Sequence, residues 1–412
     1  MEEDKIRQNT ALQYIVVVLL FSFLVLFFYI KLRYPFWNGQ PVYHIYDYWR
    51  VFYREPRVIR PEYPSITKYC NFADCTTIAY QDATPRQIGE CVDLLQTQYL
   101  RTDDAVFVFN GQTMDSYMTG HIHSSYLTVY LEPFYPTSSP SEKIIRPRAL
   151  MTSRSIRITG DIPAYYWDLI CSNRELPIKR TYELIQTHNY RTRILNPDIK
   201  IAFFKRIGRE TEDYAVVPAV RFSIVSYRII SFTSPSAKPP PLPKYHLVVD
   251  VNRTNIGDVL EYIENKKDGY ELWAIADTGN LEGLFLGGVL YGYIILVRGE
   301  IRGLYIFRDS RISIDGDGDD GFGGGGPVLS LVGSIHDTGS REVFYDAFLN
   351  AGFLLVKQYP VYKTLSVESL GDNQIIENLL PLDGFITETQ GGYYFYNYFY
   401  RTVAGSRCFI VI

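Results

Sequence analysis

The stretch Ile170-Cys171-Ser172-Asn173-Arg174-Glu175-Leu176-Pro177-Ile178-Lys179-Arg180-Thr181 has the residue types of an anion site. A strand over residues 164–171 runs through a short loop into a helix from Lys179 to Thr187. Free N–H groups at a helix start, with cations beside them, hold anions such as pyrophosphate. Arg174, Lys179 and Arg180 supply the cations. An ordinary strand–helix connection with surface charges explains the spacing equally well. The chain ends Phe409-Ile410-Val411-Ile412 after an aromatic strand. A buried α-carboxylate at Ile412 is a base that needs no side chain.

Other constellations carry less. Asp315, Asp317 and Asp319 have the spacing of the first EF-hand ligands. Asp320 then stands where the loop needs glycine, and Gly326 where it needs glutamate, so residues 313–326 read as a flexible loop. His121 and His123 alternate, as on one face of a strand, but no third ligand type is near. Ser172 and the serines in 137–141 have no triad partner, and there is no Walker-type loop. The five cysteines show no paired ligand spacing, so no metal is expected. Free thiols fit a reducing compartment. A local Cys70–Cys75 bridge in an oxidising one is the alternative.

These groups need elements to position them. A chain of 412 residues has room for two domains. Aromatics are 15% of it, led by 35 tyrosines, which suits large apolar pockets or interfaces. A net charge of −4 offers no basic surface for nucleic acid. Residues 11–30 carry no charge and have the length of a bilayer-crossing helix. The acidic start and long core fit an uncleaved anchor over 11–31 better than a signal peptide. Lys31, Arg33, Arg50, Arg54, Arg57 and Arg60 follow it, against Lys5 and Arg7 before it. The positive-inside rule then puts the body in the cytosol.

Pro85 opens a helix with Ile88, Val92 and Leu95 at helical spacing. Strands are predicted over 106–109, 126–131, 164–171, 201–205 and 214–231. Residues 132–148, with four prolines, read as a loop. Pro235 and the run 238–243 mark a boundary between units 32–235 and 236–412, after a tail over 1–10. The second unit reads as strands at 245–251, 271–276, 292–298, 301–308, 364–368 and 393–400. Helices are predicted at 255–266, 339–351 and 372–380. Both units mix antiparallel strands and helices in similar order, which points to two copies of one α+β fold.

Taken together, four segments resemble the eukaryotic-type glycylpeptide N-myristoyltransferases. They are Phe36-Trp37-Asn38-Gly39-Gln40-Pro41-Val42, the run Tyr99 to Phe109, the run Asp168 to Arg180, and Tyr393-Tyr394-Phe395-Tyr396-Asn397-Tyr398. They stand in register over about residues 34–412, and divergent copies in large DNA viruses are similar. The resemblance implies an α+β fold of two fused GNAT-like lobes, each a mixed sheet flanked by helices, preceded by one transmembrane helix. It implies transfer of a fatty acyl group from CoA, with myristoyl-CoA as co-substrate, to a peptide N-terminal glycine.

It also implies roles. Main-chain N–H groups near Leu169 and Ile170 would polarise the thioester carbonyl. Arg174, Lys179, Arg180 and Thr181 would hold CoA phosphates, and Phe36 and Trp37 would cover the nucleotide. The Ile412 carboxylate would deprotonate the glycine ammonium. Asp103, Asp104, Phe107, Phe109 and Asn397 would line the peptide site. The chain departs from the family at Arg101 and Thr102, where acids stand, at Asp168, where an amide stands, and at Glu175, Pro177 and residues 386–390. The alternative is therefore an inactive acyltransferase-fold membrane protein with a structural or binding role, as in a virion. The membrane, host or viral, is that of the anchor.

Overall fold

A computed structural model describes residues 2–47, 55–100, 105–134, 144–208, 216–229, 238–314 and 326–412. The N-terminal helix runs Glu2–Arg33. Its part Leu12–Arg33 is long and apolar enough to cross a membrane. Side chains such as Leu19, Phe21 and Phe28 are exposed along it. Its foot touches the body where the Phe27 ring meets Tyr46 edge-on, centroids 5.5 Å apart.

The strands are β1 (Arg57–Val58), β2 (Cys75–Ala79), β3 (Ala105–Phe107), β4 (Tyr126–Phe134), β5 (Ile144–Ile158) and β6 (Ile162–Ser172). Then come β7 (Ala202–Ile207), β8 (Val220–Arg228), β9 (His246–Asp250), β10 (Leu272–Ala276), β11 (Leu290–Val297) and β12 (Glu300–Ile314). The last are β13 (Gly326–His336), β14 (Thr364–Glu368), β15 (Phe385–Tyr396), β16 (Tyr398–Phe399) and β17 (Cys408–Val411). Among the described residues, fifteen strands form one sheet, whose main path is β17-β10-β5-β6-β7-β15-β8-β14-β13-β12-β11-β9. Strands from either side of residue 235 interleave in it: β10 pairs with β5, β15 lies between β7 and β8, and β14 pairs with β8.

Helices cover both faces, because alternate residues of a strand point to opposite sides. On β12, Tyr305 and Phe307 pack toward the helix Arg341–Gln358, with Phe344 and Phe348. Leu304 and Ile306 pack the other way, with Val259 and Ile263 of the helix Ile256–Lys266. On β5, Met151 packs with Leu184 and Ile185 of the helix Ile178–Leu195. Leu150 packs with Leu94 and Leu95 of the helix Pro85–Gln98. That last helix starts as its sequence dictates: Thr84 and Gln87 form a reciprocal capping box ahead of Pro85. Gly333 on β13 admits the C-terminal strand, since a Cβ there would stand 2.8 Å from Val411 Cγ2.

Three expectations need correction. Residues 132–148 are not a loop throughout: β4 reaches Phe134, β5 begins at Ile144, and only the stretch between lies outside the described residues. Pro147 sits opposite Leu131, where the ladder shifts register, a position at which proline is tolerated. His121 and His123 are not on a strand but in the turn between the helix Gly111–Met118 and β4. There His121 Nδ1 stands 3.7 Å from Asp277. The helix predicted over 372–380 is shorter, Asn373–Glu377. All five cysteines are free. The calcium-like loop falls almost wholly outside the described residues.

Candidate functional site

The middle of β6 is irregular. Leu150 pairs with Cys171 and Thr152 with Asp168, so Leu169 and Ile170 together oppose the single Met151. This is a β-bulge, and Leu169 takes a left-handed φ of 50° to make it. The extra residue exchanges the faces of the strand. Before it, Tyr165 and Trp167 pack on the side of the helix Ile178–Leu195; after it, Leu169 and Cys171 pack on the side of the helix Pro85–Gln98. Beyond Trp167 and Phe204, β6 and β7 no longer pair, although both continue. A bulge beside a diverging strand pair leaves main-chain groups outside the ladder, which is what a ligand carbonyl needs.

Polar groups surround the bulge. Leu169 N–H donates to the Asp168 carboxylate at 2.9 Å. The other Asp168 oxygen accepts from Arg154 Nη2 at 3.2 Å. Arg154 is only 1% exposed, and its guanidinium stands over the rings of Tyr117 and Tyr166, 4.9 and 5.1 Å from their centroids. Burial, with Asp168 next, pushes the Tyr166 phenol well above its usual value, so it stays protonated. Arg308 on β12 donates to the main-chain oxygen of Ile412. Arg308 is also within electrostatic reach of Tyr117, Glu368, Tyr393 and Tyr166. Glu368 is held by Lys205 Nζ at 2.8 Å. The bulge and the 2%-exposed Ile412 therefore border one polar interior region.

Sequence reasoning did not single out Arg154 or Arg308. A signal was present: Arg154 shares the inward parity of Ile156 and Ile158, and Arg308 that of Leu304 and Ile306. A cation on an apolar parity is a buried charge, which persists only with partners.

No family model matches the chain, and no curated protein matches it in sequence. Its shape does match. A structure of Saccharomyces cerevisiae N-myristoyltransferase with bound myristoyl-CoA superposes with a TM-score of 0.66 at 14% identity, covering 90% of this chain and 94% of that one. A second with myristoyl-CoA gives 0.65 at 14%, covering 90% and 89%. A third, with myristoyl-CoA and inhibitors, gives 0.65 at 14%, covering 91% and 93%. The chain has the N-myristoyltransferase fold.

Within that N-myristoyltransferase fold the residues singled out from sequence fall in different surroundings. The loop into the helix Ile178–Leu195 is closed by its own contacts. Arg148 holds Glu175 at 2.9 Å, Asn173 Oδ1 accepts from Glu175 N–H, and Pro177 caps the helix without a side-chain bond. Arg180 donates to Glu183 at 2.8 Å, and Lys179, mostly exposed, stands 3.7 Å from the same carboxylate. Burial would raise the Glu183 pKa, but hydrogen bonds from Arg180 and Asn71 hold it below the ordinary value. Thr181 Oγ1 donates to Ser172 Oγ at 3.3 Å. Arg174 lies in the same loop.

Phe36 and Trp37 are core residues: Phe36 stacks on Tyr182 and Trp37 on Phe204. Phe107 and Phe109 stack on each other, centroids 5.2 Å apart, in the cluster that contains Leu169. Asn397 is fully buried with φ of 62°; its amide donates to Arg60 and Lys200 carbonyls and its oxygen accepts from Arg60 N–H. Asp103 and Asp104 lie outside the described residues. Burial pushes the Cys171 thiol up to about 12, so it stays protonated and is no nucleophile near neutrality. A cavity of about 520 Å³ opens between an arm that follows the N-terminal helix, with Gln40, Arg60 and Tyr69, and the helix Ile178–Leu195, with Gln186, Asn189 and Arg193.

Proposed function

We propose that the chain is an acyl-CoA N-acyltransferase that moves a fatty acyl group, such as myristoyl, to the N-terminal amine of a glycine peptide. The observation that carries this reading is the β6 bulge bordering the same interior as Ile412, within an N-myristoyltransferase fold. In this reading the thioester carbonyl oxygen takes N–H donors at Leu169 and Ile170, as an oxyanion hole does. The Ile412 α-carboxylate accepts a proton from the glycine ammonium, and the Arg308 contact orients it. The freed amine attacks the carbonyl carbon. The C–N bond forms, the C–S bond breaks, and the CoA thiolate leaves to take up a proton. Lys179, Arg180, Arg174 and Thr181 hold the CoA phosphates beside the helix start, and Phe36 and Trp37 brace the loop that covers the nucleotide. Phe107, Phe109, Asn397, Asp103 and Asp104 border the peptide. Residues 11–31 anchor the protein as a single-pass membrane protein with a cytosolic body, in a host or viral membrane.

A second reading is favoured by specific contacts. Asp168 already takes Leu169 N–H, and Glu175 and Pro177 put a negative charge and a missing donor where phosphates would lie. These suit an acyltransferase fold kept as a membrane-bound structural or binding protein without turnover.

The deciding experiment titrates the full chain in detergent micelles with a non-hydrolysable myristoyl-CoA analogue, then offers myristoyl-CoA and a glycine peptide. Saturable binding raises the melting temperature by mass action, and acyl-peptide must appear. A flat titration with a cooperative melt rejects the enzyme and leaves the second reading.

A further inference from the structure

The interior beside the bulge has donors without acceptors. Arg154 uses Nη2 on Asp168, but its Nε and Nη1 are buried and have no hydrogen-bond partner. Arg308 uses Nη2 on the Ile412 oxygen, and its Nε is likewise buried without a partner. The same two rings link them: Arg154 Cζ stands over Tyr117 and Tyr166, and both tyrosines lie within electrostatic reach of Arg308. The carboxylates facing them are Asp168, Glu368 and the α-carboxylate of Ile412; Glu368 is already bonded to Lys205, and Ile412 to Arg308 Nη2. Orphaned cationic donors in a buried site carry a large desolvation penalty. A group that enters with acceptor oxygens removes it.

The chemistry of that group follows from the donors. Arg154 Cζ stands over the Tyr117 and Tyr166 rings, and the unpartnered Nε and Nη1 are donors on a guanidinium edge, which matches a carboxylate through paired N–H groups. We infer that the acyl acceptor carries a carboxylate close to its amine, as a glycine peptide with an acidic second residue does, and that Arg154 receives it with Arg308 beside it. This inference rests on the acyltransferase reading for the word acceptor, but the recognition itself is a binding property. It gives the amine a direction: the carboxylate on the arginines leaves the ammonium on the side of Ile412.

The test uses the full chain in detergent micelles and two peptides, Gly-Asp-Ala-Ala-amide and Gly-Asn-Ala-Ala-amide, which differ only in the charge. Calorimetry should give about tenfold tighter binding of the acidic peptide. Arg154→Gln should bring the ratio to about one, and Arg154→Lys should keep part of it. Equal affinities in the natural protein, no binding of either peptide, or a preference that survives Arg154→Gln would overturn the inference. Should Arg154→Gln not fold, the natural protein decides: the preference must fade below about pH 4, as the peptide carboxyl is protonated. Acyl transfer is followed in the same mixtures. Transfer to both peptides without discrimination removes the inference and keeps the acyltransferase. Discrimination without any transfer does the reverse.

Discussion

Phe36 and Tyr182 stack face to face, their centroids 4.2 Å apart and their planes 3° from parallel. The contact joins the segment after the N-terminal helix to the first turns of the helix Ile178–Leu195, and Tyr69 closes on Phe36 edge-on at 5.0 Å. Phe36 is 1% exposed, so it acts as a bolt between arm and body before any ligand arrives. Phe36→Ala should cost about 3–5 kcal/mol of unfolding free energy, the range for a buried phenylalanine. Denaturant melts of the solubilised chain check this. An unchanged midpoint with weakened CoA binding would make Phe36 a ligand contact only.

If the Ile412 α-carboxylate is the base, as proposed, turnover is sensitive to chain length. One glycine added after Ile412 moves the carboxylate by a residue and leaves a neutral amide at the Arg308 contact. Turnover should fall by about 100-fold or more, as for loss of a general base, with acyl-CoA binding retained. Single-turnover assays with equal loading of the acyl-CoA analogue read the difference. Undiminished turnover would assign the base elsewhere.

His188 sets an acid limit on stability. It is fully buried, burial pushes its pKa down to about 3, and Thr128 Oγ1 stands 2.7 Å from Nδ1. The folded ring is neutral through the physiological range, whereas the unfolded one takes a proton below about pH 6.5. Its contribution is therefore intact above pH 6.5 and is lost as pH falls from there toward 3. By pH 5 the loss is about 2 kcal/mol. Melts at pH 7.5, 6 and 5 should show this slope, and His188→Asn should flatten it. A slope unaltered by that substitution would place the proton uptake in another group.

Asn397 tests a structural against a ligand role. Its side chain ties residue 60 to residue 200, and its backbone joins Pro41 and Ile59. Asn397→Ala removes the bonds to the Arg60 and Lys200 carbonyls and to Arg60 N–H and forces a left-handed φ on alanine, together about 3 kcal/mol. Asn397→Gly relieves the backbone but not the carbonyls, so it should fall between alanine and the natural residue. Unchanged melts with a raised peptide KM would instead assign Asn397 to the substrate.

Much of this architecture is legible in the sequence for local reasons. Thr84-Pro85 with Gln87 writes a helix start, and Thr364 to Glu368 a strand with its observed bounds. The extension of the helix Ile178–Leu195 past Thr187 is not legible, because its buried face there is polar, with His188, Asn189 and Thr192, and leaves no hydrophobic period to read. The Ile170–Thr181 loop was recognisable by its cations, but not that Glu175 and Glu183 pair with neighbouring arginines, since Arg148 comes from another strand. Arg154 and Arg308 lie 154 residues apart in number and come to share Tyr117 and Tyr166 as neighbours only when β5 and β12 fold into one sheet. No spacing rule reaches that far.

The doubled residue in β6 has a consequence for how such a site persists. What turns Leu169 out of the ladder is that two positions face one, not which side chains occupy them. Site geometry is thus stored as a count. Substitution can rewrite the side chains around it without touching the count. A deletion of one residue at 169 or 170 would do what many substitutions cannot: it would straighten the strand, leave Cys171 opposite Leu150 with one residue facing Met151, and erase the site in a single step.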